Sequence, residues 1–136
     1  MSTKYNKKGI TLIELMVVIA IIGILSTSIY VTIKDAPHKA KASEFPTVLS
    51  SIRQAEMIFE GETGRYTSDF TELDIDSPED SKWFDYSVSA SDTSFIVSAT
   101  VKQNFGKAKK GNTATIDQNG KKTAEGGLAK YVRNWD

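Results

Sequence analysis

At 136 residues the chain has room for one small domain and an appendage. Its 17 basic and 17 acidic residues cancel, but Lys4, Lys7 and Lys8 lie ahead of a long apolar run, and without them 14 basic face 17 acidic side chains. That balance argues against nucleic acid as the main partner. With no cysteine, a disulfide framework, a thiolate zinc site and a thiol nucleophile are all excluded, although the compartment is not fixed by this.

The apolar run dominates the N-terminal part. From Leu15 to Ile33 nineteen residues carry no charge and no proline, with Ser26, Thr27, Ser28 and Thr32 as the polar interruptions. As an α-helix this run reaches roughly 28 Å, close to the hydrocarbon thickness of a bilayer. Such a helix belongs in lipid or against copies of itself. Glu14 is the one charge between Ile10 and Ile33. A carboxylate at the centre of a spanning helix costs roughly 2.5–3.5 kcal/mol, less near the interface, so it needs a reason.

The residues around Glu14 supply one. Lys7-Lys8-Gly9 precedes Ile10-Thr11-Leu12-Ile13-Glu14-Leu15, and MVVIAIIGIL follows. Over about twenty-five residues in register this resembles the type IV pilin family: a short basic leader, a glycine, then a hydrophobic residue with TLIEL behind it. The resemblance implies cleavage after Gly9 by a prepilin peptidase and methylation of the new amino group on Ile10. It also implies that Glu14 neutralises that amino group on a neighbouring subunit. On a helix, positions 10 and 14 share a face, so each subunit would carry a cation and an anion one turn apart. In an apolar bundle both charges seek partners, and a fixed axial stagger would supply them. An ordinary secretory signal, cleaved near Ser28, is the rival reading; Glu14 and the apolar continuation Ile29-Tyr30-Val31-Thr32-Ile33 stand against it. Lysines flank both ends of the run, so charge does not set its orientation; N-inside, C-outside comes from the family.

Past Ile33 the helix is expected to continue. Phe45, Val48, Leu49, Ile52, Ala55 and Phe59 recur at steps of three and four, whereas Arg53, Glu56 and Glu60 lie mostly off that stripe. Pro37 and Pro46 should kink it, so the spacing predicts one long bent helix from about Thr11 to Glu60. Gly23 is a weak point in its first half; in the family the corresponding region loosens on packing. Gly61-Glu62-Thr63-Gly64 ends the helix. Gly64-Arg65-Tyr66 resembles the family's exit from it, and Tyr66, Phe70 and Leu73 can cover the helix stripe. Asp74 to Ser81, acidic and containing Pro78, reads as an exposed loop.

Strand patterns follow. Phe84, Tyr86, Val88 and Ala90 alternate with polar residues, as do Phe95, Val97, Ala99 and Val101, with Ser91-Asp92-Thr93 as a hairpin link. Gly106 to Gly111 is a basic loop, Thr113 to Asp117 a third strand, and Asp117-Gln118-Asn119-Gly120 a turn into Lys121–Ala124. Leu128, Tyr131, Val132 and Trp135 stand at helical spacing in the tail. A long helix followed by a small antiparallel sheet of three to four strands is an α+β fold. The expected divisions are a leader over 1–9, a membrane and filament-core helix over 10–33, an amphipathic continuation over 34–61 and a globular head over 62–136.

No catalytic constellation emerges, and no enzyme is expected. His38, the one histidine, reads as a solvated side chain beside lysines. No cofactor is expected. The tail Asn134-Trp135-Asp136 resembles that of the main pseudopilin of type II secretion, and that resemblance would imply calcium. However, Asp69, Asp74, Asp76, Glu79, Asp80, Asp92, Asp117 and Glu125 are scattered, and the Asp-Pro-Trp-Gly segment of that group is missing. Lys107, Lys109 and Lys110 read as a solvated loop tip rather than a DNA contact. The site residues are therefore Gly9 and Ile10 for processing and Glu14 for assembly.

The function this implies is that of a filament subunit. It would be held in the inner membrane as a single-pass precursor and then polymerised into a helical homo-oligomer, periplasmic or extracellular, by an inner-membrane assembly machinery. A type II secretion pseudopilin, or a signal-anchored envelope protein that binds a ligand as a monomer, are the alternatives.

Overall fold

The structure is a computed structural model that describes residues 9–75, 78 and 81–131. The chain divides into two units after Ala36. The first contains helix α1, Leu12–Ile33. It is one helix long and apolar enough to cross a membrane, and none of its described side chains is buried. Three of its polar interruptions are satisfied within the helix. Ser26, Thr27 and Ser28 donate their hydroxyls to the carbonyls of Ile22, Gly23 and Ile24 at 2.7, 2.9 and 3.4 Å. These residues therefore place no unpaired donor on an apolar surface.

The expected single helix is instead three: α1, α2 (Ala36–Ala42) and α3 (Glu44–Thr63). The prolines explain both boundaries. A proline at position i cannot bond the carbonyl of i−4. For Pro37 that carbonyl is on Ile33, the last residue of α1; for Pro46 it is on Ala42, the last of α2. Each proline thus falls in the first turn of the next helix, where its missing N–H has no helical partner to lose. At Ser43 the break is shallow, because its amide still bonds Lys39 O at 2.9 Å. At the other end Gly64 alone is left-handed (φ 77°) and donates to Glu60 O at 2.8 Å, while Gly61 stays inside α3.

The second unit, from Pro37 onward, packs α3 on a four-stranded antiparallel meander. The strands are β1 (Phe84–Ala90), β2 (Phe95–Val101), β3 (Thr113–Asp117) and β4 (Lys122–Ala124), paired in chain order. Alternation sets the register: Phe84 faces Val101, Val88 faces Val97, and Val97 and Ala99 face Ile116 and Ala114. The buried row of β2 (Phe95, Val97, Ala99, Val101) meets Phe45, Leu49 and Ile52 of α3, and Phe45 tilts against Phe84 at 5.5 Å. Each fully buried Phe or Leu contributes about 1.5–3 kcal/mol by leaving water.

Two loops are less solvated than their composition suggested. In the basic loop, Phe105 and Ala108 are buried and bridge to each other. Before β1, Ser81 donates its hydroxyl to Glu44 Oε1 of α3, and Ile75 packs against the core. Leu128, in a short 3-10 turn (Leu128–Lys130), is fully buried, and Tyr131 packs on Phe105. Val132 and Trp135 lie outside the described residues, as do the leader to Lys8 and Asp76, Ser77, Glu79 and Asp80.

Candidate functional site

The three residues singled out by sequence lie together at the start of α1. Gly9, Ile10 and Thr11 are not helical, and all are exposed. Thr11 is the N-cap, with extended backbone (φ −79°, ψ 152°), and its Oγ1 accepts the amide of Glu14 at 3.3 Å. The first helical bond runs from Leu15 N to Thr11 O at 3.2 Å. Glu14 is thus the third helical residue, where a carboxylate complements the helix dipole. Thr11-x-x-Glu14 is a capping box by sequence, a local role that the reading of the residues had missed. The shared helix face expected for positions 10 and 14 does not hold here, because the helix begins two residues after Ile10.

Behind Glu14 lies a long exposed apolar surface. Leu12, Ile24 and Tyr30 are 81, 70 and 73% exposed, and nothing in α1 offers the carboxylate a cation. An exposed apolar helix of this length needs lipid or protein around it.

Residues 4–30 match the family described as the prokaryotic N-terminal methylation motif. The chain is also 39% identical over 85 residues to the type IV major pilin protein PilA of Myxococcus xanthus (strain DK1622). In these two respects the chain is similar to type IV pilins. The aligned part covers 62% of the chain but only 38% of the Myxococcus protein, so the chain spans well under half of that relative. No solved structure gives a significant match.

In the second unit several acidic side chains are engaged locally. Asp69 Oδ1 accepts both the amide and the hydroxyl of Thr71, at 2.9 and 2.7 Å, and these bonds hold its carboxyl below the usual range. Glu72 is likewise lowered, first by the Thr67 hydroxyl at 2.5 Å and then by Arg65 at 3.2 Å. Asp117 Oδ1 takes the amides of Asn119 and Lys121 at 2.9 and 2.8 Å. Among the described residues no group of three His, Asp or Glu is placed to hold a metal ion.

Two side chains depart from their expected places. Glu56, assigned to the solvent side of α3, is fully buried, with Oε2 accepting Thr67 N at 3.1 Å and Oε1 unpartnered. Burial is the main force raising its pKa, opposed by the Thr67 amide and reinforced by the charge on Glu72. Phe45, Leu49, Ile52 and Glu56 are spaced four, three and four apart, so the helical period placed Glu56 on the buried row despite its charge. His38 is half-buried rather than solvated; its ring lies 6.3 Å from Tyr131, and its Nδ1 is buried without a partner. Lys107, Lys109 and Lys110 do reach solvent, as expected.

Proposed function

We propose that the chain is the structural subunit of a type IV pilus-like filament. In this reading residues 1–9 are a leader removed after Gly9 by a prepilin peptidase. Ile10 becomes the methylated N-terminus, and 10–33 serve first as the membrane anchor and then as the filament core. The amphipathic helical stretch 34–61 and the head, 62–136, form the outer part. The precursor sits N-inside in the inner membrane until an assembly machinery extracts it.

The observation that carries this reading is the pairing of opposites at one helix start. A lone carboxylate, Glu14, stands in the first turn of a helix whose other described side chains form an uncovered apolar surface. Moving that surface from lipid to protein yields little hydrophobic gain, so close packing and the Glu14 pair must set the stagger. Because α1 begins at Leu12, the new amine on Ile10 extends beyond the helical hydrogen bonds. That leaves it free to reach a carboxylate on the adjacent copy.

Intact mass and filament counts test the proposal together. The mature chain should begin at a methylated Ile10, and Gly9→Leu should leave the precursor uncut. Glu14→Ala should be processed yet form no filaments. A native chain beginning near Ile29, or one retaining its first nine residues in normal filaments, would overturn it.

A further inference from the structure

The head carries its charges at two ends. At the end where the chain enters from α1, the Lys41 ammonium lies 3.8 Å over the Trp83 ring, and Lys82 approaches the same ring at 5.4 Å. Trp83 packs edge-on against Phe105 at 5.7 Å, which places the basic loop of Lys107, Lys109 and Lys110 beside them, with Lys39 on the adjoining α2. Of the described acidic side chains at this end, Asp85 pairs with Lys102 at 3.1 Å, while Glu44 and Glu125 accept from neutral donors, Ser81 and Tyr86 for the first and Thr113 for the second.

At the other end of β1, about 20 Å away, the sign reverses. Tyr66 packs on Phe95 and Ser68 holds Ala90 N. Glu60, Glu62, Asp69, Glu72, Asp74 and Asp92 surround that end, with Arg65 paired to Glu72. Arg53, Lys121 and Lys122, at the β3–β4 turn, and Glu125, at the basic end, depart from this separation.

We infer that the basic end of the head seats on the anionic lipid headgroups of the bilayer that holds α1, before the subunit is assembled. The inference rests on the proposed membrane placement of α1. Lys39 follows Ile33 by six residues, a reach of at most about 20 Å, so covalent connection alone keeps this end near the membrane surface. Lysines flanking a tryptophan suit that interface, where the ring tolerates the acyl boundary and the ammonium groups meet phosphate. The acidic end is repelled by the same surface, so the charge separation orients the head as well as attracting it.

The chain has no cysteine, so one introduced thiol reports on one place. Full-length protein carrying either Ala129→Cys, exposed at the basic end, or Asp92→Cys, exposed at the acidic end, is labelled with a donor dye. It is reconstituted with headgroup-labelled acceptor lipid, in vesicles of phosphatidylcholine alone or mixed with phosphatidylglycerol. Energy transfer from position 129 should exceed that from position 92 by a wider margin in the anionic vesicles than in phosphatidylcholine alone, and that surplus should fall as salt rises. Neutralising Lys107, Lys109 and Lys110 to Gln, which leaves their backbone hydrogen bonds in place, should lower the docked-to-free ratio about a hundredfold, at roughly fivefold per lysine. Unchanged near-ultraviolet circular dichroism in that variant guards against misfolding.

An alkaline wash separates the two readings. Chain that washes off overturns the membrane placement and this inference with it. Chain that stays while transfer ignores lipid charge overturns the seating alone. Transfer between labelled copies that persists in phosphatidylcholine alone would assign the basic end to the acidic end of a second copy instead.

Discussion

The amide of Thr67 donates to Oε2 of Glu56 across 3.1 Å, and both residues are buried. This bond ties the segment leaving α3 back onto the buried row of the helix. It places a carboxylate where hydrocarbon would be expected, with its second oxygen unpartnered. Such a group is costly when charged and tolerable when protonated.

The pH dependence follows in sign. Burial raises the Glu56 pKa above 4.5, so the folded chain holds this proton more tightly than the unfolded chain. The stabilisation it contributes is complete below 4.5 and is lost as pH rises through the raised folded value. Asp69 and Glu72, whose values are lowered, act oppositely and lose their contribution as pH falls. Subtracting the melting curve of Glu56→Gln from that of the native chain should isolate the first effect. The native chain should lose stability relative to the variant from mild acid towards neutrality. Glu56→Ala should be worse than either at every pH, by about 1–3 kcal/mol, because the buried Thr67 amide loses its acceptor. A flat difference curve for Glu56→Gln would show that the carboxylate is solvated.

Tyr86 gives a second titration at the other extreme. Its hydroxyl donates to Glu44 Oε1 at 3.2 Å; burial first, and then the Glu44 charge, push its pKa well above 10.0. Stability linked to the protonated phenol is complete below 10.0 and is lost as pH rises beyond it. Ultraviolet difference titration through pH 10 should therefore give the folded native chain and Tyr86→Phe the same amplitude. A smaller amplitude in the variant would mean that Tyr86 ionises normally.

Where the pattern was periodic, the sequence could be read directly. Period-two alternation put Phe84, Val88, Phe95 and Val97 on one face, and the strands pair as that alternation requires. Asn-Gly chemistry marked the turn at Gly120, where φ is 79°. Two departures share one cause: charge and loop composition do not by themselves mean solvent. Glu56 follows the helical period of Phe45, Leu49 and Ile52 into the core. Phe105 and Ala108 anchor a loop whose lysines suggested none. The prolines misled differently: each abolishes a bond to a residue four positions back, and so ends one helix and begins another rather than bending a single one. Thr11-x-x-Glu14 is a local signal of the same kind, hidden behind the distant partner that the family resemblance gives Glu14.

Arg53 reaches from α3 to the β3–β4 turn, its Nε donating to Asp117 O at 3.2 Å and its Nη2 to Gln118 O at 2.9 Å. The planar fork serves two carbonyls at once, which one ammonium cannot do. Arg53→Ala should cost about 1.5–3 kcal/mol, and Arg53→Lys should recover less than half of that. Hydrogen exchange should quicken at the amides of Asn119 and Lys121, which depend on the turn, but not at Ser91 in the β1–β2 link. Uniform quickening across both turns would mean that Arg53 holds the whole sheet rather than this corner.

Glu14 has two roles open to it, and glutamine separates them. In a capping box the third helical residue may be Glu or Gln, because only hydrogen bonding is needed. Neutralising a cationic amine on an adjacent copy needs the charge. Glu14→Gln should therefore leave the start of α1 intact by circular dichroism in detergent, yet stop filament formation. Thr11→Val removes the acceptor for the Glu14 amide at 3.3 Å and should fray the first turn by about 1 kcal/mol, with filaments fewer but present. Thr11→Ser should restore them. The order of severity decides between the roles. If the threonine variant abolished assembly while the glutamine variant assembled normally, local capping would be what the acid is for.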